Sequence, residues 1–263
     1  MSNKNEGGEE GVKKLVNVGS NIAGSAGGAV VGLLLGGPPG AIIGAALGPA
    51  VGEVFKKVGN DIAKRLLGPR EEIRLGATMI FAIQKIDDNI KSGQQIRQDG
   101  FFKEEKGARS AYEELVEGVL LAAQREYQEK KIKFEGNLLA NLVFHPEIDK
   151  SQGNMLIGLG QRLSYRQLCL LSIFAHKEKY NLRQGDYRGK PQDINSDVAA
   201  ILQEIYQMFS EGILSSGGSA MLSVGDADPS KMRPQGIGAT LHNLMELYNM
   251  DTEDLNKVAK ILK

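Results

Sequence analysis

The sequence predicts a mainly α-helical protein: an N-terminal glycine-zipper helical hairpin, a helical body, and a C-terminal winged-helix-like module with a short β-hairpin. Three observations predict it. Residues 15–52 contain no Asp, Glu, Lys or Arg and, from Gly24 to Gly52, carry glycine at every fourth position. Beyond Glu53, apolar residues recur at spacings of three and four, the helical period. After Gly212 the period shortens to an alternation bracketed by helical stretches.

The glycines in register are Gly24, Gly28, Gly32, Gly36, Gly40, Gly44, Gly48 and Gly52, and the fill between them is mostly Ala, Val, Leu and Ile. A flexible linker is diluted with polar residues; this one is not. A spacing of four puts the glycines along one helix face. Each costs roughly 1 kcal/mol against Ala in a helix interior, so the pattern makes sense where another backbone approaches closely. Helices packing in lipid use small residues in this way. A buried soluble hairpin can use the same device.

Pro38 and Pro39 divide the stretch. Proline removes a donor and restricts the residue before it, so a first helix ends near Gly36 or Gly37 and Pro39 enters the first turn of a second. The first arm, from about Val16, spans roughly 33 Å, enough for a hydrocarbon core of about 30 Å. The second arm is apolar only from Gly40 to about Val51, roughly 18 Å, and Pro49 can kink it. A re-entrant hairpin fits better than two full spans. Lys13 and Lys14 precede the stretch and Lys56, Lys57, Lys64, Arg65 and Arg70 follow it, which favours keeping both ends on the cytoplasmic side.

The domains expected are a disordered tail (1–14), the hairpin (15–68), a helical domain (69–185) and a winged-helix-like domain (186–263). The tail is polar and acidic and does not resemble a secretory signal. The second arm should continue as an amphipathic helix on Val54, Val58, Ile62 and Leu66 to Leu67, with Gly68-Pro69 as the stop. Ile73, Ala77, Ile80, Phe81, Ile83, Ile86 and Ile90 predict a helix over 70–91 capped by Ser92-Gly93. Residues 94–107 read as a polar loop with Phe101-Phe102 tucked beneath it. Leu115, Val116, Val119, Leu120, Ala123 and Tyr127 predict a helix over 112–131, and an apolar one follows over 137–144 until Pro146. A helix over 152–163 precedes Ser164-x-x-Gln167, a capping box opening a helix over 165–179. The loop 181–193 is the best internal boundary. Ser196 is placed to cap a helix over 197–212. Ala220, Leu222 and Val224 then read as a strand, 225–229 as a turn and 231–233 as its return. Helices over 237–248 and 255–262 close the chain, the last capped by Asp251.

Composition excludes several classes. The 32 basic and 32 acidic residues balance, which argues against a nucleic-acid binder by bulk charge. The C-terminal module offers only Lys231, Arg233 and His242 where a DNA-reading winged helix carries several Lys or Arg. The lone cysteine, Cys169, lies in a leucine run, so it reads as a core residue in a reducing setting. There is no phosphate-binding Gly-x-x-x-x-Gly-Lys-Ser/Thr and no Gly-x-Ser-x-Gly elbow. Gly236-x-Gly238 reads as a turn before a helix. His145-Pro-Glu147-x-Asp149 places three potential ligands across a proline, off any helical ligand face, and reads as a polar loop. No catalytic residue, metal or cofactor is expected.

The segments Glu117-Gly-Val-Leu-Leu-Ala-Ala-Gln-Arg-Glu126 and Lys130-Lys-Ile-Lys-Phe-Glu-Gly-Asn-Leu-Leu-Ala-Asn141 resemble the helical core of bacterial abortive-infection proteins of the alpha type. The resemblance spans roughly Glu113 to Leu247 and implies a role in defence against phage, by arresting or killing the infected cell. It carries over no functional residue, and the glycine zipper is not part of it. The expected function is therefore a non-enzymatic, membrane-active effector, an oligomer stacking hairpins through their glycine faces, cytoplasmic and associating with the inner membrane. Its expected partners are membrane lipid and further copies of itself. The residues expected to carry the activity are the eight zipper glycines, with Pro38 and Pro39 setting the bend. The alternative is a soluble regulatory or scaffold protein that self-associates through the hairpin and binds a protein or nucleic acid through its C-terminal module.

Overall fold

The computed structural model describes residues 47–63, 65, 67–104 and 107–263. The tail and most of the expected hairpin, with Gly24 to Gly44, Pro38 and Pro39, lie outside the described residues. What is described is mainly helical, with nine α-helices and one two-stranded antiparallel sheet among the described residues. No helix among them is long and apolar enough to cross a membrane. The chain divides into two compact units between Arg162 and Leu163.

In the first unit, α1 (Pro49–Ala63) follows a break at Gly48, whose φ is +77°. A second arm running unbroken to Leu67 is therefore corrected. A left-handed Gly48 turns the chain, and Pro49 starts the helix instead of kinking it, its missing N–H costing nothing there. The helix ends at Ala63, four residues before Leu67. Val51, Val54, Phe55, Val58 and Ile62 are buried, and the helix packs against α3 (Ala111–Arg125), with Phe55 set edge-on to Tyr112 at 6.2 Å. Lys57 reaches Glu104 and Glu113 at 2.6 and 2.5 Å, and Arg65 pairs with Glu117. The end of α1 nearest the uncharged stretch is thus part of the folded body.

Between them, α2 (Pro69–Lys91) has Pro69 in its first turn, and its Glu71 carboxylate accepts the Gly68 N–H at 2.7 Å. Ser92 and Gly93, at φ +93°, end it as expected. The following loop is held by the buried Arg97. Its guanidinium donates to the carbonyls of His145, Pro146 and Ile148 at 2.9–3.2 Å, pairs with Asp99, and stacks 3.7 Å over the Phe101 ring. Phe101 is buried and, with Phe102, surrounds Tyr112.

Ser110 caps α3 through a capping box with Glu113. The helix stops at Arg125, and residues 129–131 form a separate turn before α4 (Ile132–Asn141). The apolar helix thus begins five residues earlier than expected. It crosses α2 at close range: a Cβ on Gly136 would sit 2.7 Å from Phe81 Cβ and 2.9 Å from the Thr78 carbonyl oxygen. The small-residue contact sought in the zipper therefore occurs, within the described residues, between α2 and α4. Gly136→Ala is expected to lower stability by about 1–3 kcal/mol, because two of its three neighbours are backbone atoms. Gly158→Ala, on α5 (Lys150–Arg162), is the contrast. Nothing lies within 4 Å of its added methyl, so it should stabilise by up to about 1 kcal/mol. Urea midpoints of the two variants, moving in opposite directions, check this.

The second unit opens with α6 (Tyr165–Ala175), capped by Ser164 with Gln167 as expected. Asn195, not Ser196, caps α7 (Ser196–Ser210), its side chain accepting from the N–H groups of Asp197 and Val198. The expected strand over 220–224 is also corrected. The sheet pairs β1 (Leu214–Ser215) with β2 (Arg233–Pro234), Leu214 opposite Pro234. Asp226 accepts the N–H groups of Leu222 and Ser223, folding that alternating segment into a turn that no strand can pair with. Next come α8 (Gly236–Met245) and α9 (Thr252–Ile261), the latter capped by Asp251. Gly238 is there for space: a Cβ would lie 2.3 Å from the Ile213 carbonyl oxygen. The loop 181–193 is tied inside this unit by Arg183 N–H to Leu262 O and Tyr187 N–H to Gly225 O, at 2.7 and 2.9 Å.

Candidate functional site

Of the residues expected to carry function, Gly48 and Gly52 are described. Gly48 is the turn before α1, with Ile96 Cδ1 3.6 Å from where a Cβ would stand. Gly52 is buried in the first turns of α1, and its N–H bonds the Gly48 carbonyl at 3.0 Å. Gly24, Gly28, Gly32, Gly36, Gly40, Gly44, Pro38 and Pro39 lie outside the described residues.

Two clusters of ionisable side chains stand out that the sequence reading did not single out. The first lies in the first unit around the turn 129–131. Lys131 is 1% exposed. Its ammonium pairs with Glu126 and donates to the Gln161 carbonyl at 3.0 Å, near the C-terminus of α5, where a cation is favoured by the helix dipole. Glu126 is also buried, and its other oxygen accepts the Gln128 N–H at 2.7 Å. Glu135, one turn along from Lys131, is 3% exposed, and neither of its carboxylate oxygens has a hydrogen-bond partner. Burial pushes its pKa from 4.5 up to about 7, against the pull of Lys131 and with a push from Glu126. The sequence offered little to find it by: Lys131 and Glu135 stand at i, i+4, a spacing as common in solvated pairs, and Lys130 and Lys133 beside them are charged too.

The second cluster lies in the second unit, where His176, at the end of α6, meets His242 of α8. Tyr248 stands 6.3 Å from the His242 ring. His145, by contrast, is surface-exposed, with Nδ1 2.6 Å from Glu147. Among the described residues no group of three or more His, Cys, Asp or Glu is arranged to hold a metal ion. Cys169 is buried at 1% exposure in the core of α6, out of reach of solvent reagents. No protein family, curated protein or solved structure matches the chain.

Proposed function

We propose that the chain is a non-enzymatic, membrane-active effector whose working part is the glycine-zipper stretch. The folded units carry and restrain that stretch. The observation that carries this reading is in the sequence: 38 consecutive residues without a formal charge, bearing eight glycines in register. The packing of α1 supports it. The last turn of the stretch runs into a helix with a buried apolar face, tied to its neighbours by Lys57 through Glu104 and Glu113, so force on the stretch is transmitted to the body. Copies associate through their glycine faces at the inner membrane and perturb the bilayer. The alpha-type abortive-infection resemblance makes phage defence the setting.

We read the C-terminal unit as a winged-helix-like module for protein contact. The order α7, β1, β2, α8 fits that outline. Lys231, on the would-be wing, is engaged with Asp228 at 3.3 Å, leaving little cationic surface there for phosphate.

Leakage of dye from anionic phospholipid vesicles tests the reading. Gly32→Ile with Gly44→Ile is expected to reduce leakage to background, since isoleucine on the glycine face holds the backbones apart. The far-ultraviolet circular dichroism should remain unchanged. Leakage equal to the parent's would count against the zipper. A second arm uses vesicle flotation of a chain starting at residue 47, a cut that spares the buried face of α1. The parent should float and the shortened chain sediment; if both stay in the aqueous fraction, the soluble scaffold reading takes its place.

A further inference from the structure

Two imidazoles from different elements lie against each other inside the second unit. His242 of α8 is 5% exposed, and its ring centre is 5.5 Å from that of His176 at the end of α6. In both rings Nε2 is shut off from solvent and has no hydrogen-bond partner. Nδ1 of His242 lies 3.1 Å from Asn243 Oδ1. An amide oxygen only accepts, so the neutral ring carries its proton on Nδ1 and keeps a bare lone pair at the buried Nε2. A second proton has to go on that nitrogen. The resulting cation sits out of reach of water, with no acceptor for its new N–H and another imidazole beside it.

The charges around the pair do not offset this. On the turn 177–179, Lys177 reaches the Ser230 carbonyl at 2.8 Å and Lys179 is exposed. Glu178 stands 3.8 Å from Nδ1 of His176, the nitrogen opposite the buried one. Asp228 is taken up by Ser230 and Lys231, and Arg233 on β2 is exposed. After α8, Glu246 accepts from Asn249 at 3.1 Å. Tyr248, 6.3 Å from the His242 ring, and Tyr180 are both raised above 10 and stay neutral. Glu204 of α7 and Asp254 of α9 meet α6 at its other end, on Arg166 and Tyr165.

We propose that His176 and His242 form an acid-operated latch: the neutral pair holds the end of α6 against α8, and protonation of His242 parts them. Burial, and with it the charge of His176, hold the His242 pKa below its ordinary 6.5, against the hydrogen bond to Asn243. Once the contact opens, the ring returns to that ordinary value, so the open form binds more protons. The contact is therefore at full strength above about pH 6.5 and weakens as pH falls below it, by at most about tenfold per pH unit for one proton. Asp226 and Asp228 of the same unit are held below 3.8, so what they contribute changes only at lower pH. Since α8 follows directly on β2, the latch makes the placing of the helix after the sheet depend on acidity.

Hydrogen exchange of the full chain between about pH 7.5 and 5, read by NMR, tests this. Protection factors, in which the intrinsic pH dependence of exchange is already divided out, should fall about fivefold or more at the α8 amides of Leu241 and Leu244. In His242→Asn, which keeps a donor in place of Nδ1 and cannot take up charge, they should stay level. Nitrogen NMR of the parent's imidazoles does not depend on that variant folding, and should give His242 a midpoint below 6.5. His176→Asn should raise that midpoint by removing the neighbouring charge, which a role in packing alone would not do. The proposal is overturned by a His242 midpoint at or above 6.5, by α8 protection that does not fall towards pH 5, by the parental slope in His242→Asn, or by an unmoved midpoint in His176→Asn.

Discussion

Lys131→Met should destabilise the first unit by about 3–5 kcal/mol, the cost of leaving a buried charge without its partner. Lys131 is among the largest fully buried side chains, and its ammonium has two partners, the Glu126 carboxylate and the Gln161 carbonyl. Methionine fills the stem's space but leaves Glu126 at 4% exposure with one oxygen unopposed, and frees a carbonyl at the end of α5. It also removes the one positive charge that pulls on Glu135, so the variant's Glu135 should hold its proton to still higher pH. Adding Glu126→Gln should return a large part of the loss. The amide oxygen can still accept the Gln128 N–H, and no buried charge is left unpaired. That non-additivity is the diagnostic, because packing loss alone would make the two changes add. Hydrogen exchange at the Leu138 and Leu139 amides, on α4, reads it within one unit of the chain. A cost below about 1 kcal/mol for Lys131→Met would mean that the pair is solvated in solution.

The helices were legible where apolar period and cap agreed. Ser164 with Gln167, and Asp251, each take up two backbone N–H groups at a helix start, and Pro69 after Gly68 opens a helix without needing one; the structure has all three caps where they were expected. Legibility failed where a local hydrogen bond overrode a period. The alternation of Ala220, Leu222 and Val224 resembles a strand, but Asp226 captures two backbone N–H groups that a ladder would need. The apolar run after Pro49 resembles the end of a long helix, but Gly48 turns it. The ionic cluster was hidden for another reason. Lys131 and Glu135 sit in a segment rich in charge, Lys130-Lys131-Ile132-Lys133-Phe134-Glu135, and solvated charges and buried ones look alike in one dimension. Only the turn at 129–131, which rotates Lys131 under α5 while Lys130 stays outside, separates them. The histidine pair was equally invisible, since 66 positions separate its members. The glycine zipper is the converse case: its period is the strongest signal in the sequence, and six of its eight glycines lie outside the described residues.

Glu135 gives the first unit a pH dependence opposite to the usual carboxylate behaviour, and Glu135→Gln should abolish it. A carboxyl raised from 4.5 to about 7 binds more protons folded than unfolded across that interval. Stability therefore falls as pH rises from about 4.5 to about 7 and is level above, by about 3 kcal/mol in all. Other carboxyls of the unit work in the opposite sense and in a different range. The Arg109 and Arg65 guanidiniums hold Glu117 below its ordinary value, and Arg97 does the same for Asp99. Their stabilisation is present above those ordinary values and is lost only as pH falls through the lowered ones. The interval between 4.5 and 7 is thus governed, in this unit, mainly by Glu135. Urea unfolding of the parent, followed by exchange on α4 in the presence of a chelator, should show stability greatest near pH 5 and lower at pH 8. The glutamine variant should trace a nearly flat line across the same range and be the more stable protein at pH 8, since it carries no charge to bury. A parent whose stability climbs from pH 5 to pH 8 would show that the carboxylate finds a partner, or reaches water, once it ionises. The unsatisfied oxygens on α4 would then not exist in solution.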